Sequence, residues 1–73
     1  MTVETVKAAR ELLRWRQEEL AERAGIAIST LRRLEGMSGP LAGADETKAR
    51  IVSALQGAGI EFSADGWGVK LRK

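Results

Sequence analysis

QEELAERAGIAISTLRRLEG, residues 17–36, sets two short helical patterns on either side of Gly25, and the second carries a pair of adjacent arginines. The patterns cover residues 17–24, with Leu20, Ala21 and Ala24 on one side, and about 27–35, closed by Gly36. Neither is long enough to persist alone in water, where isolated helices under about 12–15 residues are marginal. Gly25 can take a positive φ at little cost where the chain turns sharply, and Ala21, one helical turn earlier, leaves room for the next helix to come close.

Working outward, Val3, Val6, Ala9 and Leu13 recur at helical spacing behind Thr2, a suitable N-cap, which predicts a helix from Thr2 to about Arg14. Residues 37–43, MSGPLAG, read as a loop punctuated by Gly and Pro. A fourth helix follows from about Asp45 to Gln56, with Ile51, Val52 and Leu55 turned inward and Gly57 ending it. The last residues change period. In IEFSADGWGVKL, Ile60, Phe62, Val69 and Leu71 alternate with polar neighbours around Asp65-Gly66, a pair suited to a type I′ turn. With those two as the loop, Ala64 pairs with Trp67, Phe62 with Val69 and Ile60 with Leu71 on one face, while Glu61 meets Lys70 on the other. Apolar pairs together and opposite charges together are what a correct register requires.

The bulk properties exclude more than they identify. A chain of 73 residues is one small domain that buries only about 60% of its unfolded surface, and such cores are often helped by dimerisation. There is no cysteine and no histidine, which removes disulfides, zinc sites built on those ligands, and thiol or imidazole catalysis. With no nucleophile and base pair, phosphate loop or metal cluster either, neither an enzyme nor a cofactor is expected. No apolar run approaches the about 20 residues that span a bilayer. The N-terminus lacks the basic-then-apolar order of a secretory signal, so a cytoplasmic location is expected. A net charge of +2 does not by itself point to nucleic acid; the distribution of charge has to.

Two short helices meeting steeply around a small residue and a glycine describe a helix-turn-helix, the alternative being an ordinary helical hairpin in a bundle. RQEELAERAGIAISTLRRLEG resembles the Cro/repressor-type (Xre) helix-turn-helix family of bacterial and phage transcription regulators. The resemblance covers about residues 6–56, with Gln17, Leu20, Ala21, Ala24, Gly25, Ile26, Leu31 and the Leu34-Glu35-Gly36 ending at matching positions. GIEF…GVKLR looks like the tail of a subgroup of short members, where it replaces a fifth helix. The fold expected is mostly α: a four-helix, lambda-repressor-like helix-turn-helix domain over residues 1–58, and a two-stranded β-hairpin over 59–73.

On a helical wheel the third helix buries Ala27, Leu31 and Leu34 and turns Ser29, Arg32 and Arg33 the other way. If it is the recognition helix it enters the major groove, where an arginine can donate two hydrogen bonds to a guanine edge, worth about 1–3 kcal/mol of discrimination. The plainer reading of two adjacent arginines is a solvated face. Ile28 stands where the family commonly has a polar or basic side chain; it either packs on a thymine methyl or covers the helix junction. Thr30 serves either a phosphate or a structural hydrogen bond.

The resemblance implies that Gln17 bonds a phosphate at the positive end of its helix. Arg14 and Arg16 are placed to add charge there, and Ser38 with nearby main-chain amides is what the loop after Gly36 offers. Arg16 replaces the usual Ser or Thr cap, a loss of about 1 kcal/mol. The resemblance also implies a structural ion pair between Arg10 and Glu35. Trp15 is expected in the core rather than on a phosphate, and Trp67 in packing rather than base stacking.

One recognition helix reads too few base pairs to select a genomic site, so proteins of this geometry present two copies about 34–36 Å apart. The hairpin, marginal alone and with an unpaired edge, is the candidate interface through Ile60, Phe62, Trp67, Val69 and Leu71. Otherwise it only roofs the monomer core. The function expected is operator binding on double-stranded DNA as a homodimeric regulator, more specifically a repressor. The competing reading is a protein-interaction module, an antitoxin or bridging factor with weak DNA affinity.

Overall fold

The computed structural model describes residues 2–65 and 68–72. Four helices, α1 (Val3–Leu12), α2 (Gln17–Ala24), α3 (Ile28–Glu35) and α4 (Asp45–Gly57), precede an antiparallel hairpin of β1 (Ile60–Phe62) and β2 (Val69–Leu71). Each helix gives one stripe to a common core: Val3, Val6 and Ala9 from α1, Leu20, Ala21 and Ala24 from α2, Leu31 and Leu34 from α3, Ile51 and Leu55 from α4. Leu41, from the stretch read as a loop, is buried with them. That loop is strapped to the start of α1 by a hydrogen bond from the Val3 N–H to the Gly39 carbonyl, 2.9 Å.

α1 begins at a capping box. The Thr2 hydroxyl accepts from the Thr5 N–H at 3.1 Å, and the Thr5 hydroxyl accepts from the Thr2 N–H at 3.0 Å, so two amides at the helix start are satisfied reciprocally. Its end comes two residues earlier than the expected Arg14. Arg14 itself is left-handed, φ 57°, and the Trp15 N–H reaches back to the Arg10 carbonyl while the Arg14 N–H bonds Glu11. Gly25, φ 71°, ends α2 with the same two bonds, from Ile26 to Ala21 and from Gly25 to Glu22. Both corners are thus closed as Schellman motifs, one with the residue suited to it and one without. A side chain in the left-handed region costs about 1 kcal/mol. Arg14→Gly is therefore expected to stabilise the fold by about 0.5–1 kcal/mol, after allowing for the extra freedom glycine has when unfolded. Thermal denaturation would read this as a rise of about 2–8 °C.

Two sequence expectations need correction in the helices. Ala27, assigned to the buried face of the third helix, is exposed and forms the N-cap of α3, with helical residues starting at Ile28. Gly57 is the last residue of α4 rather than its stop; the chain leaves through Ala58 and Gly59, whose φ of 106° admits the sharp entry into β1.

The hairpin register is Ile60 with Leu71, Glu61 with Lys70, and Phe62 with Val69, as the alternation predicts. The expected Asp65-Gly66 turn and the Ala64–Trp67 pair involve Gly66 and Trp67, which lie outside the described residues. β2 packs on α1 and β1 on α4, and Ile60 is sealed in the core at 2% exposure. Ile60 therefore has no surface to offer a second subunit, which removes it from the expected interface. Phe62, Val69 and Leu71 are half-buried against the same core.

Candidate nucleic-acid interface

α3 divides sharply between its two sides. Leu31 and Leu34 are at 0% and 2% exposure, whereas Ser29, Arg32 and Arg33 are exposed. A helix of this length stays in place only through its packing, so the exposed arginines stand on a strip whose opposite side is anchored in the core. Among the described residues Arg33 has no ion-pair partner, while Arg32 faces Glu18 of α2 at 3.5 Å with both side chains well exposed. Such a pair contributes little and is readily exchanged for another anion. Glu18 was not singled out in the sequence, because nothing in a linear pattern places residue 18 opposite residue 32.

The end of α3 is held by a buried network. Arg10 grips Glu35 with two parallel hydrogen bonds, Nε and Nη2 each 3.0 Å from a carboxylate oxygen, and its Nη1 donates to the Trp15 carbonyl at 3.0 Å. The Gln17 amide donates to the same carboxylate at 2.9 Å. Glu35 is almost wholly enclosed, its side chain 4% exposed, and a charge so placed requires this degree of satisfaction. Thus α1, the α1–α2 corner, the start of α2 and the end of α3 are tied at one carboxylate. Gln17, assigned to a phosphate by resemblance, gives one amide N–H to Glu35, and the second amide N–H and the main-chain N–H are what remain for an outside acceptor.

The other candidate residues fall into three places. Arg14, Arg16 and Ile28 line one open groove at the corner before α2, together with Glu18, Glu19 and Glu22; Ile28 is half-buried and packs against the core. Arg16 caps α2 with its backbone alone, no side-chain bond being made. Thr30, half-buried, lines a separate cleft with Gly25, Glu46 and Arg50. Ser38 is exposed, and the next amide, Gly39 N–H, is already directed at the Glu4 carboxylate, 3.3 Å. Trp15 is half-buried on the core with the Arg23 guanidinium 4.7 Å over its ring, a cation–π contact.

Arg50 went unnoticed in the sequence. It donates to the Gly25 carbonyl at 3.1 Å and pairs with Glu46 at 2.8 Å. It thereby satisfies the carbonyl at the turn between α2 and α3 from the side of α4. The Glu46–Arg50 spacing of one helical turn signals the pair, but not the second bond to the turn.

No helix among the described residues is long and apolar enough to cross a membrane. No curated protein and no solved structure matches the chain. Residues 6–35, which run from within α1 to the last residue of α3, match the family described as Helix-turn-helix, a family of DNA-binding domains of transcription regulators. Two short helices around a left-handed glycine, the second presenting arginines from a core-anchored strip, make up most of the matched stretch, and over residues 6–35 the chain is similar to the Cro/C1-type, Xre-like helix-turn-helix family.

Proposed function

We propose that the protein is a sequence-specific regulator that binds operator half-sites as a homodimer, inserting α3 into the major groove and acting as a repressor by occupying the DNA. The observation that carries the reading is the polarity of α3: Leu31 and Leu34 sealed in the core, Arg32 and Arg33 exposed on the far side. Arg33, unpaired among the described residues, is the reader of a base edge. Arg32, Ser29 and Ile28 border it, and Arg14, Arg16, the Gln17 main-chain N–H, Thr30 and Ser38 supply backbone contacts. The hairpin, through Phe62, Val69 and Leu71, provides the two-fold contact.

Arg33→Ala is the test. Preferred duplexes are selected from a random pool with the wild-type chain and with the variant. The variant is expected to lose preference at one base position per half-site, by about 1–3 kcal/mol or roughly 5- to 150-fold. Uniform weakening on every sequence would make Arg33 a phosphate contact instead. A second reading, a protein-interaction module such as an antitoxin or bridging factor, is favoured by the Glu18 carboxylate opposite Arg32 and by the capture of the Gln17 amide. Its signature is a wild-type chain that enriches no sequence from the pool.

A further inference from the structure

The closing strand contributes a surface that the helix-turn-helix does not explain. Arg72 follows β2, anchored by its N–H to the Gly59 carbonyl at 2.7 Å, with its side chain 68% exposed. It shares a groove with Arg14, between Leu12 and Leu13 at the end of α1 and Ala58 and Leu71, and no carboxylate among the described residues lines that groove. Arg14 also borders the neighbouring groove, with Arg16 and Ile28. The exposed arginines therefore follow one another in the order Arg16, Arg14, Arg72, from beside α3, round the end of α1, to the hairpin.

The two grooves differ in electrostatics. Around Arg16 the cations are opposed by Glu18, Glu19 and Glu22. Beside Arg72 the one acidic partner among the described residues is Glu61, which is shared between Arg72 and Lys70, each at 3.5 Å. One carboxylate for two cations leaves a positive balance, and pairs this long and exposed are easily given up for a better anion. Arginine forks at separate points along a line match the regularly spaced phosphates of a duplex.

We propose that Arg72, together with Arg14, grips the phosphate backbone of duplex DNA flanking the base pairs read by α3, so that the hairpin lengthens the DNA contact beyond the helix-turn-helix. This rests on the duplex binding proposed above. The experiment titrates the full chain, by fluorescence anisotropy, onto mixed-sequence duplexes of about 24 and about 12 base pairs, the shorter covering little more than one half-site. Salt is varied over about 50–200 mM.

On the longer duplex, Arg72→Ala is expected to bind more weakly at low salt and to flatten the plot of log affinity against log salt by about 0.9 per chain bound. Its deficit should shrink about threefold across that range. Arg72→Lys should keep the wild-type slope, and Glu61→Gln, which releases both cations, should bind more tightly. The shorter duplex should not distinguish Arg72→Ala from wild type. Wild-type affinity and slope for Arg72→Ala on the longer duplex would overturn this inference and leave the proposed function standing. An equal loss on both duplexes would overturn the flanking position. A wild-type chain that binds neither would overturn both readings.

Discussion

Glu35→Ala is expected to cost the fold about 2–4 kcal/mol, measured as a shift in the urea midpoint at constant slope. Removing one partner of a buried ion pair typically costs about 3–5 kcal/mol, because the remaining charge is left without compensation. Here the Arg10 side chain is 15% exposed and keeps its bond to the Trp15 carbonyl, so water can recover part of the loss. The Gln17 amide loses its acceptor as well. A chain of 73 residues has about 4–11 kcal/mol of stability in all, so the variant stands close to unfolding. The Arg10→Met/Glu35→Leu double variant should be more stable than Glu35→Ala, since replacing both charges by apolar groups of similar volume removes the desolvation along with the attraction. Should Glu35→Ala melt like the wild type, the carboxylate would not be what ties the three helices together.

The same network marks the boundary between what a linear pattern reveals and what it leaves hidden. Core positions such as Val3, Leu20, Leu31 and Ile51 are legible because one amphipathic period brings them to one side of a helix. The hairpin register is legible because a slip of one residue would turn Phe62 and Val69 outward and separate Glu61 from Lys70. The destination of a long polar side chain follows a different rule. Where the Gln17 amide goes depends on where Glu35, 18 residues further along the chain, is held. Likewise Arg50 reads as a member of a surface pair with Glu46, whereas its second bond, to the Gly25 carbonyl, exists only once α4 lies across the end of α2. Arg14 is a subtler case. The helical period continues through Leu13, so nothing warns that the chain turns left-handed at an arginine until the two reaching-back bonds of the corner are seen.

Gln17 also connects stability to DNA contact. In the network one of its two amide N–H groups is given to Glu35, so a phosphate near the start of α2 meets the second amide N–H, the main-chain N–H and the arginines at the corner. Substitutions that free the amide, Glu35→Ala among them, therefore change two things at once: they loosen the seat of α3 and release a new donor toward the DNA side. A comparison of affinities across such variants has meaning only with their stabilities measured alongside.

A chain ending at Gly57 is expected to lose its cooperative fold. The truncation deletes Ile60, fully enclosed, and the half-buried Phe62, Val69 and Leu71, and it uncovers the sides of α1 and α4 on which the strands lie. Burial of one large aliphatic side chain is worth about 1.5–3 kcal/mol, and three half-buried ones add a similar amount or more, about 4–6 kcal/mol together. That is comparable with the entire stability of a domain this small. Far-UV circular dichroism should show a broad, early melt in place of a sharp transition; an unchanged transition would make the hairpin a mere appendage to a self-sufficient helical domain. Because truncation removes the monomer's own roof, the self-association of the truncated chain reports unfolding rather than the loss of an interface. The proposed two-fold contact needs a gentler probe, such as Phe62→Gln, which trims an apolar surface the core shares only in part. Sedimentation of that variant as a folded monomer, beside a wild-type dimer, is the expected result. A folded variant that associates as the wild type does would leave the strands with one task, closing the core beneath them.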